Sequence, residues 1–182
     1  MKLMFCSDIH GSLYYAEKMA ELYKNEQADK LILLGDLLYH GPRNDLPKNY
    51  QPKSVIALLN SMKDELLCVR GNCDAEVDQM VLEFPILADY MIMYFEGHMA
   101  FITHGHIHNQ KNLPPLKKGD ILMHGHTHLQ ALDDCGDYIY INPGSISIPK
   151  GDDTNSYMIY ENGKFSIRDL DGNTIKELSL NS

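Results

Sequence analysis

Two short segments of the chain carry a histidine at every second position. Residues 124–128 read His-Gly-His-Thr-His, and residues 104–108 read His-Gly-His-Ile-His. Each segment follows an apolar run that is typical of a strand. In an extended segment alternate side chains point to the same side, and histidine is the commonest side-chain metal ligand. A solvated polar loop would account for one such segment, but two of them at strand ends favour metal binding.

Side chains that can bind a metal also follow the first three apolar runs. They are Asp8 with His10, then Asp36, then Asn72. Ligand sites of open α/β sheets gather at the carboxyl ends of strands. Taken singly, each aspartate could be a helix N-cap, and residues 71–72 could be a plain turn. Together with the histidines they are too many for one ion, and they predict a pair of divalent ions with one bridging carboxylate.

The periodicity of apolar residues predicts an α/β fold of two sheets stacked face to face. The first half of the chain alternates strands with helices, and the second half is mostly strands. The expected strands are residues 2–6, 30–34, 66–69, 90–95, 99–103, 120–123, 138–141, 156–160, 164–168 and 174–180. One helix is expected to begin after Ser12, and two further helices are expected over residues 54–62 and 75–83. Strand 90–95 is apolar on both faces, which predicts a covered sheet and favours core over interface for its Met and Tyr side chains.

Length and charge restrict the class of protein. The chain has 182 residues, of which 44% are hydrophobic and 23% charged, so one domain spanning 1–182 is expected. The net charge of −9 argues against a nucleic-acid partner held by a basic face. No segment has the length of a membrane span, so no membrane partner is expected. Four scattered cysteines without a CxxC pair predict reduced thiols and a cytoplasmic location.

The order of these motifs resembles that of the calcineurin-like metallophosphoesterase superfamily, and within it most closely a branch of small bacterial phosphodiesterases. The motifs are Asp8-x-His10, Gly35-Asp36, Gly71-Asn72-Cys73-Asp74, Thr103-His104-Gly105-His106 and residues 124–128. The resemblance covers essentially the whole chain. It implies a four-layer α/β/β/α sandwich of two stacked mixed sheets, with a dinuclear metal site at the carboxyl ends of the strands.

The resemblance also implies a role for each candidate ligand. One metal would be bound by Asp8, His10 and His128. The other would be bound by Asn72, His104 and His126, and Asp36 would bridge the two. By the same pattern His106 and His108 lie beside the site or at the surface, and His124 is structural.

The expected cofactors are two divalent metal ions. Mixed nitrogen and oxygen ligation suits Mn, Fe, Zn, Co or Ni better than Mg or Ca, and the resemblance favours Mn²⁺. The expected reaction is hydrolysis of a small phosphate diester by a hydroxide that bridges the ions. A phosphomonoesterase or nucleotide-polyphosphate hydrolase is the alternative within this chemistry, and a non-catalytic scaffold of the same fold is the alternative outside it. A homo-oligomer is left open.

One position departs from the family pattern. The residue after Asn72 is usually a histidine that helps to bind phosphate and protonates the leaving oxygen, but here it is Cys73. A thiol is a poorer proton donor. We therefore expect either a preference for good leaving groups or a donor elsewhere. His40 is the candidate donor and Arg43 a candidate phosphate contact, and an ordinary loop is the alternative for both.

Overall fold

The computed structural model describes residues 1–180, which form two stacked β-sheets and three α-helices. Residues 181 and 182, the last two of the predicted domain, lie outside the described residues. The strands are β1 (Lys2–Cys6), β2 (Lys30–Leu33), β3 (Leu66–Cys68), β4 (Tyr90–Phe95), β5 (His98–Thr103), β6 (Asp120–Met123), β7 (Gln130–Asp134), β8 (Tyr138–Pro143), β9 (Ser156–Glu161), β10 (Lys164–Asp169) and β11 (Thr174–Ser179). The helices are α1 (Leu13–Glu26), α2 (Pro52–Ser61) and α3 (Glu76–Gln79).

Both sheets mix parallel and antiparallel neighbours. The first has the order β11-β10-β9-β1-β2-β3, with β1, β2 and β3 parallel and the other pairs antiparallel. The second has the order β4-β5-β6-β8-β7, with β5, β6 and β8 parallel and a hairpin pair at each edge. The predicted α/β fold with two stacked mixed sheets is confirmed.

The side chains of β1 alternate between two apolar cores and so connect the helices to the two sheets. Leu3 and Phe5 point into the core between the two sheets, whereas Met4 and Cys6 point into the core beneath α1 and α2. Successive side chains of a strand face opposite sides, so a run without polar residues fits a strand that is covered on both faces. Beyond the second sheet, Leu116 of the loop that follows β5 packs on a smaller apolar cluster.

The start of α1 follows the sequence prediction. The Ser12 side chain accepts a hydrogen bond from the backbone N–H of Tyr15 at 3.3 Å, as an N-cap residue does. The Ser12 hydroxyl donates in turn to the carbonyl of Lys48 at 2.6 Å. The helix is thereby tied to the long loop that ends at residue 51. No helix in residues 1–180 is long and apolar enough to cross a membrane.

Three details of the expected elements were wrong. Strand β7 was missed because its sequence, with one Gln and two Asp residues, lacks apolar alternation. Helix α3 is shorter than residues 75–83, because the Gln79 amide group bonds to Leu82, Phe84 and Ile86 and holds a non-helical turn. The outer face of β4 was expected to be covered, but the side chains of Tyr90, Ile92 and Tyr94 are exposed.

Candidate metal centre

All seven predicted ligands lie just beyond the carboxyl ends of five strands. Asp8 and His10 follow β1, Asp36 follows β2, Asn72 follows β3, His104 follows β5, and His126 and His128 follow β6. Distances below 4 Å between nitrogen or oxygen atoms of the side chains connect all seven of them, across both sheets. The site therefore spans the end of the sandwich where the two sheets meet.

Asp8, His10 and His128 form the first cluster. The Asp8 Oδ1 atom lies 3.5 Å from His10 Nε2 and 3.2 Å from His128 Nε2, and the two Nε2 atoms are 3.4 Å apart. Two ligands that are each about 2.1 Å from an ion in tetrahedral geometry lie about 3.4 Å from one another. The three donor atoms therefore have the mutual spacing of ligands around one ion.

Asp36, His104, His126 and Asn72 form the second cluster. The His104 Nε2 atom lies 3.4 Å from Asp36 Oδ2, 3.2 Å from His126 Nδ1 and 3.1 Å from Asn72 Oδ1. These distances have the same scale as those of the first cluster. The set adds one carboxylate and one carboxamide oxygen to two imidazole nitrogens, which is mixed ligation for a transition metal.

Asp36 connects the two clusters. Its Oδ2 atom lies 3.6 Å from His10 Nε2 in the first cluster and 3.4 Å from His104 Nε2 in the second. Its Oδ1 atom accepts a hydrogen bond from the backbone N–H of Cys73 at 2.8 Å, which fixes the carboxylate plane. One carboxylate oxygen thus faces both clusters at once.

Backbone carbonyls fix three of the histidine rings. The Nδ1 atoms of His10, His104 and His128 donate to the carbonyls of Tyr39, Leu34 and Ile148 at 2.7, 2.6 and 2.7 Å. Because a carbonyl only accepts, each Nδ1 carries the proton and each Nε2 lone pair points into the cluster. This is how proteins orient histidines that bind metals.

The Asp8 carboxylate has one oxygen without a donor. Its Oδ2 atom accepts hydrogen bonds from Ser7 Oγ at 2.6 Å and from the His126 backbone N–H at 3.1 Å. Its Oδ1 atom is buried, and no hydrogen-bond donor among residues 1–180 reaches it. A buried anionic oxygen is costly unless it is paired. A divalent cation between Asp8, His10 and His128 would pair it, so the residues present fit a metal.

The backbone is strained at most of these positions. Asp8, His10, Asp36, His126 and His128 have φ values of 60, 51, 57, 62 and 61°. Side chains other than glycine rarely adopt this left-handed conformation, and where it occurs it often marks a functional site. Neighbouring glycines permit the close packing. A Cβ atom on Gly71 would lie 2.1 Å from Asp36 Oδ1, and one on Gly125 would lie 1.9 Å from Ser7 Oγ.

Charge coupling shifts the pKa values of the cluster residues in opposite directions. Burial raises the pKa of Asp8, but the imidazole rings of His10, His128 and His104 beside the carboxylate outweigh burial and hold it well below its usual range. Burial lowers the pKa of His104, but Asp36 and Asp8 outweigh it and raise that pKa to about 9. Burial and the nearby His104 charge lower the pKa of His126 to about 4. In the protein without metal, the two carboxylates thus favour a positive charge on His104.

Two residues that sequence reasoning did not single out hold the ligand loops. Asp74 accepts backbone hydrogen bonds from Asp36 at 2.8 Å, Leu37 at 2.9 Å and Gly71 at 2.8 Å. Asn142 donates to the Gly125 carbonyl at 3.0 Å and to the Thr127 hydroxyl at 2.9 Å. Asp74 closes the motif that begins at Gly71, so its place in the sequence could have indicated its role. Nothing in the sequence pointed to the role of Asn142.

The remaining histidines of the two segments lie outside the clusters. His124 is buried, donates from Nδ1 to the Gly125 carbonyl at 3.0 Å and packs on Tyr140. The His106 ring lies 5.5 Å from that of His104, measured between centroids, so it is beside the site. The His108 ring packs on Phe101 at 5.3 Å.

A cavity of about 350 Å³ opens next to both clusters. Its lining includes Asp36, Asn72, His126 and His128, together with the loop residues Gly41 to Asn44, Cys73, Thr127 and Lys150. Arg43 is therefore at the site as the sequence predicted, and Lys150 is a second cation that was missed. His40 is not part of the lining, and its ring packs on those of Tyr39 and Tyr50 at centroid distances of 4.8 and 5.3 Å.

Cys73 lines the same cavity as a half-buried thiol. Burial and the charge of Asp36 raise its pKa to about 12 in the protein without metal. The Sγ atom lies beside Gly41, where a Cβ atom would be 3.3 Å away. The thiol thus occupies the wall of the cavity at the position where the family motif usually has histidine.

Stacked mixed sheets that gather aspartate and histidine side chains at the strand ends are the arrangement expected for the metallophosphoesterase class. Residues 1–164 match the family model described as the calcineurin-like phosphoesterase superfamily domain. The chain belongs to this family.

The comparisons with individual proteins also confirm the predicted branch. The chain is 46% identical to the Phosphodiesterase YfcE of Escherichia coli strain K12, over 100% of this chain and 99% of that protein. A solved structure of Yfce, a phosphoesterase from E. coli, matches 100% of both chains with a TM-score of 0.96. The structure of Vacuolar Protein Sorting 29 from Cryptosporidium parvum matches at a TM-score of 0.63 and 17% identity, covering 98% of each chain, and shows the fold alone.

Proposed function

We propose that this protein is a metal-dependent phosphodiesterase with a dinuclear centre. The observation that carries the proposal is the position of Asp36, whose Oδ2 atom faces His10 at 3.6 Å and His104 at 3.4 Å. A carboxylate held between two clusters of ligands is what a bridged pair of divalent ions requires. The 46% identity to Phosphodiesterase YfcE supports the choice of diesters.

The residues would divide between the two ions as the family pattern implies. Asp8, His10 and His128 would hold one ion, Asn72, His104 and His126 the other, and Asp36 would bridge them. Support comes from the spacing of the donor atoms and from the partnerless Asp8 Oδ1 atom. When bound, the two ions supply Lewis acidity, which makes water a better nucleophile and offsets negative charge on the phosphate.

The chain's own side chains would position the ester. Arg43 and Lys150 are the two cations that line the cavity, so they would attract the anionic phosphate and its second substituent. The carbonyl-anchored rings of His10, His104 and His128 would keep the ligand geometry fixed during turnover. Preorganised polar groups of this kind stabilise developing charge without reorganising at the moment of reaction.

The proposal also includes the identity of the metal and of the residue that protonates the leaving group. Mn²⁺ is proposed, with Fe, Zn, Co or Ni as alternatives, because the donor set mixes nitrogen and oxygen. His40 is proposed as the acid for poor leaving groups because Cys73 replaces the usual histidine. Its ring does not line the cavity, so a change of its rotamer is part of this proposal.

We further propose one cytoplasmic domain that spans residues 1–182. The core between the sheets includes both Leu3 and Leu180, which supports a single folding unit. The cysteines at positions 6, 68, 73 and 135 are free thiols, which suits a reducing compartment.

A hydrolysis panel on chelated and then metal-reconstituted protein tests the proposed function. The panel pairs aryl and alkyl phosphate diesters with the matching monoesters. We expect diesters to be hydrolysed faster, and only after metal is restored. Equal or faster hydrolysis of monoesters would indicate a phosphomonoesterase or a nucleotide-polyphosphate hydrolase. A protein that binds no metal after supplementation and hydrolyses neither would be a scaffold.

A further inference from the structure

The backbone of Asp8 is strained at the centre of the first cluster and is held from both sides. Its φ value of 60° lies in the left-handed region, which a residue with a side chain keeps only where its surroundings impose it. On the amino side, the Asp8 N–H group donates to the Gly35 carbonyl at 3.1 Å. On the carboxyl side, the restraint comes from side chains of a segment that is distant in sequence.

Two serine hydroxyl groups hold the carbonyl of Asp8. Ser147 Oγ donates to this carbonyl at 2.6 Å, and Ser145 Oγ donates to it at 3.0 Å. The Ser145 Oγ atom also accepts the backbone N–H groups of Ser147 at 3.2 Å and of Ile148 at 3.0 Å, so its own proton is left for the Asp8 oxygen. Both lone pairs of the buried Asp8 carbonyl oxygen are therefore satisfied by residues 145–148.

The same segment of residues 145–148 also positions His128. The Ile148 carbonyl accepts a hydrogen bond from His128 Nδ1 at 2.7 Å. The Ile146 N–H group donates to the carbonyl of Ser7, the residue before the aspartate, at 3.1 Å. The segment thereby connects the ligand loop that follows β1 to the ligand loop that follows β6.

The ligands of the second cluster are positioned by other parts of the chain. The ring of His104 is anchored on the Leu34 carbonyl at 2.6 Å. Among residues 1–180, no hydrogen bond joins the 145–148 segment to Asn72, His104 or His126. The support from this segment is therefore directed at one of the two clusters.

We propose that the 145–148 segment is a frame for the ion of the first cluster alone, with Ser147 as a positioning residue. The inference rests on the dinuclear centre proposed above. The two hydroxyl groups fix the Asp8 peptide group, and through it the direction in which the unpaired Asp8 Oδ1 atom and the ring of His10 face the ion. Removal of a hydroxyl group from this frame weakens the first ion and leaves the ion of the second cluster in place.

Metal titration of Ser147→Ala tests the proposal. The Asp8 carbonyl keeps its bond from Ser145, so the variant should fold, and thermal unfolding of the chelated protein checks this. In calorimetric titration with Mn²⁺, the affinity for one ion should fall about 10- to 100-fold, as for other residues that orient a ligand, and the affinity for the other should stay unchanged. Ser147→Thr retains the hydroxyl group and should bind both ions as the wild type does.

Electron paramagnetic resonance gives a second signature of the same effect. It is recorded at an Mn²⁺ concentration that fills both clusters of the wild type. There the wild-type protein should show the spectrum of a coupled pair of ions, because one carboxylate faces both clusters. Ser147→Ala should show the hyperfine pattern of an isolated Mn²⁺ ion.

The matched control is Ser156→Ala. Ser156 is also buried, and its Oγ atom donates to the carbonyl of Pro143 at 2.7 Å. Neither residue is a candidate ligand. This variant loses the same kind of hydrogen bond as Ser147→Ala and should lose a similar free energy of unfolding, but it should keep both ions at wild-type affinity. The comparison separates positioning of a ligand from general destabilisation.

Double variants assign the effect to one of the two ions. His126→Ala leaves the first cluster complete, and adding Ser147→Ala to it should weaken the remaining ion about 10- to 100-fold. His128→Ala leaves the second cluster complete, and adding Ser147→Ala to it should not change the affinity for the remaining ion. The opposite pattern would place the frame at the wrong ion and overturn the proposal.

The single variants can overturn the proposal as well. Equal weakening of both ions in Ser147→Ala would do so, and so would the same loss of metal affinity in Ser156→Ala. Two ions bound with unchanged affinities in Ser147→Ala would refute the inference while the dinuclear centre stands. A wild-type protein that binds fewer than two ions would contradict the dinuclear centre and the inference together.

Discussion

Replacing Asp74 by Asn should weaken both the fold and the metal centre. The carboxylate is 2% exposed, with Oδ2 accepting the backbone N–H groups of Asp36 and Gly71 at 2.8 Å each and Oδ1 accepting that of Leu37 at 2.9 Å. An amide of the same shape presents N–H groups where one oxygen was, so at least one of the three backbone donors loses its acceptor. The best orientation of the amide gives up only the bond from Leu37.

The expected cost follows from that geometry. One buried N–H group without a partner costs about 1–3 kcal/mol, and the two remaining bonds lose their charge assistance. With a urea slope of about 2 kcal/mol per M, a loss of about 2 kcal/mol lowers the unfolding midpoint by about 1 M. Because Asp74 positions the backbone of Asp36, metal affinity should fall about 10- to 100-fold, as for other residues that orient a ligand.

Urea denaturation of the chelated protein and metal titration by calorimetry measure the two effects. The control is Asp78→Asn, since Asp78 accepts from the Ala75 backbone N–H at 2.8 Å in the neighbouring turn and does not contact the ligands. The Asp78→Asn side chain keeps a carbonyl oxygen that can accept this single bond, so this variant should lose much less stability than Asp74→Asn and keep the metal affinity of the wild type. Unchanged midpoint and unchanged metal affinity in Asp74→Asn would refute the reasoning.

Five further substitutions test individual residues of the site. His126→Ala and His128→Ala should each lose metal and activity, whereas His124→Ala should lose about 1–3 kcal/mol of stability and keep its metal. Equal loss of activity in all three variants with intact metal content would contradict the roles given to these histidines. His40→Ala should slow hydrolysis of alkyl esters more than aryl esters in steady-state assays, and an unchanged ratio would remove the donor role. Lys150→Ala should raise KM with little change in kcat, because a cation at the cavity wall binds ester and transition state alike; a fall in kcat at constant KM would contradict this.

The sequence predicted those features for which residue type and the spacing of apolar residues indicate the same structure. The positions of candidate ligands such as Asp8 and Asp36 could be predicted because each follows an apolar run after a single residue, and the carboxyl ends of parallel strands meet at one end of a fold. The β9–β10–β11 meander could be found because its turns contain Asn-Gly and Asp-Gly, in which Asn162, Gly163 and Gly172 adopt the positive φ values that these residue types allow. In both cases a local signal sufficed to predict the structure.

Other features depend on contacts that no local pattern encodes. The left-handed conformations of His126 and His128 are held by surrounding bonds, including one from His128 Nδ1 to the Ile148 carbonyl. Asn142 supports the histidine segment from a strand that is distant in sequence. The exposed outer face of β4 could not be predicted either, because its apolar residues fit a strand covered on both faces and a strand exposed on one face equally well.

Metal content per chain is the most direct test of the dinuclear centre. The chelated protein is reconstituted with Mn²⁺ and freed of excess metal. Elemental mass spectrometry then measures the metal content, and native mass spectrometry measures the number of ions bound to each chain. The clusters around Asp8 and His104, joined by Asp36, predict two ions per chain, and they predict that His126→Ala retains fewer than two. One ion in the wild-type protein, or none, would contradict the dinuclear centre.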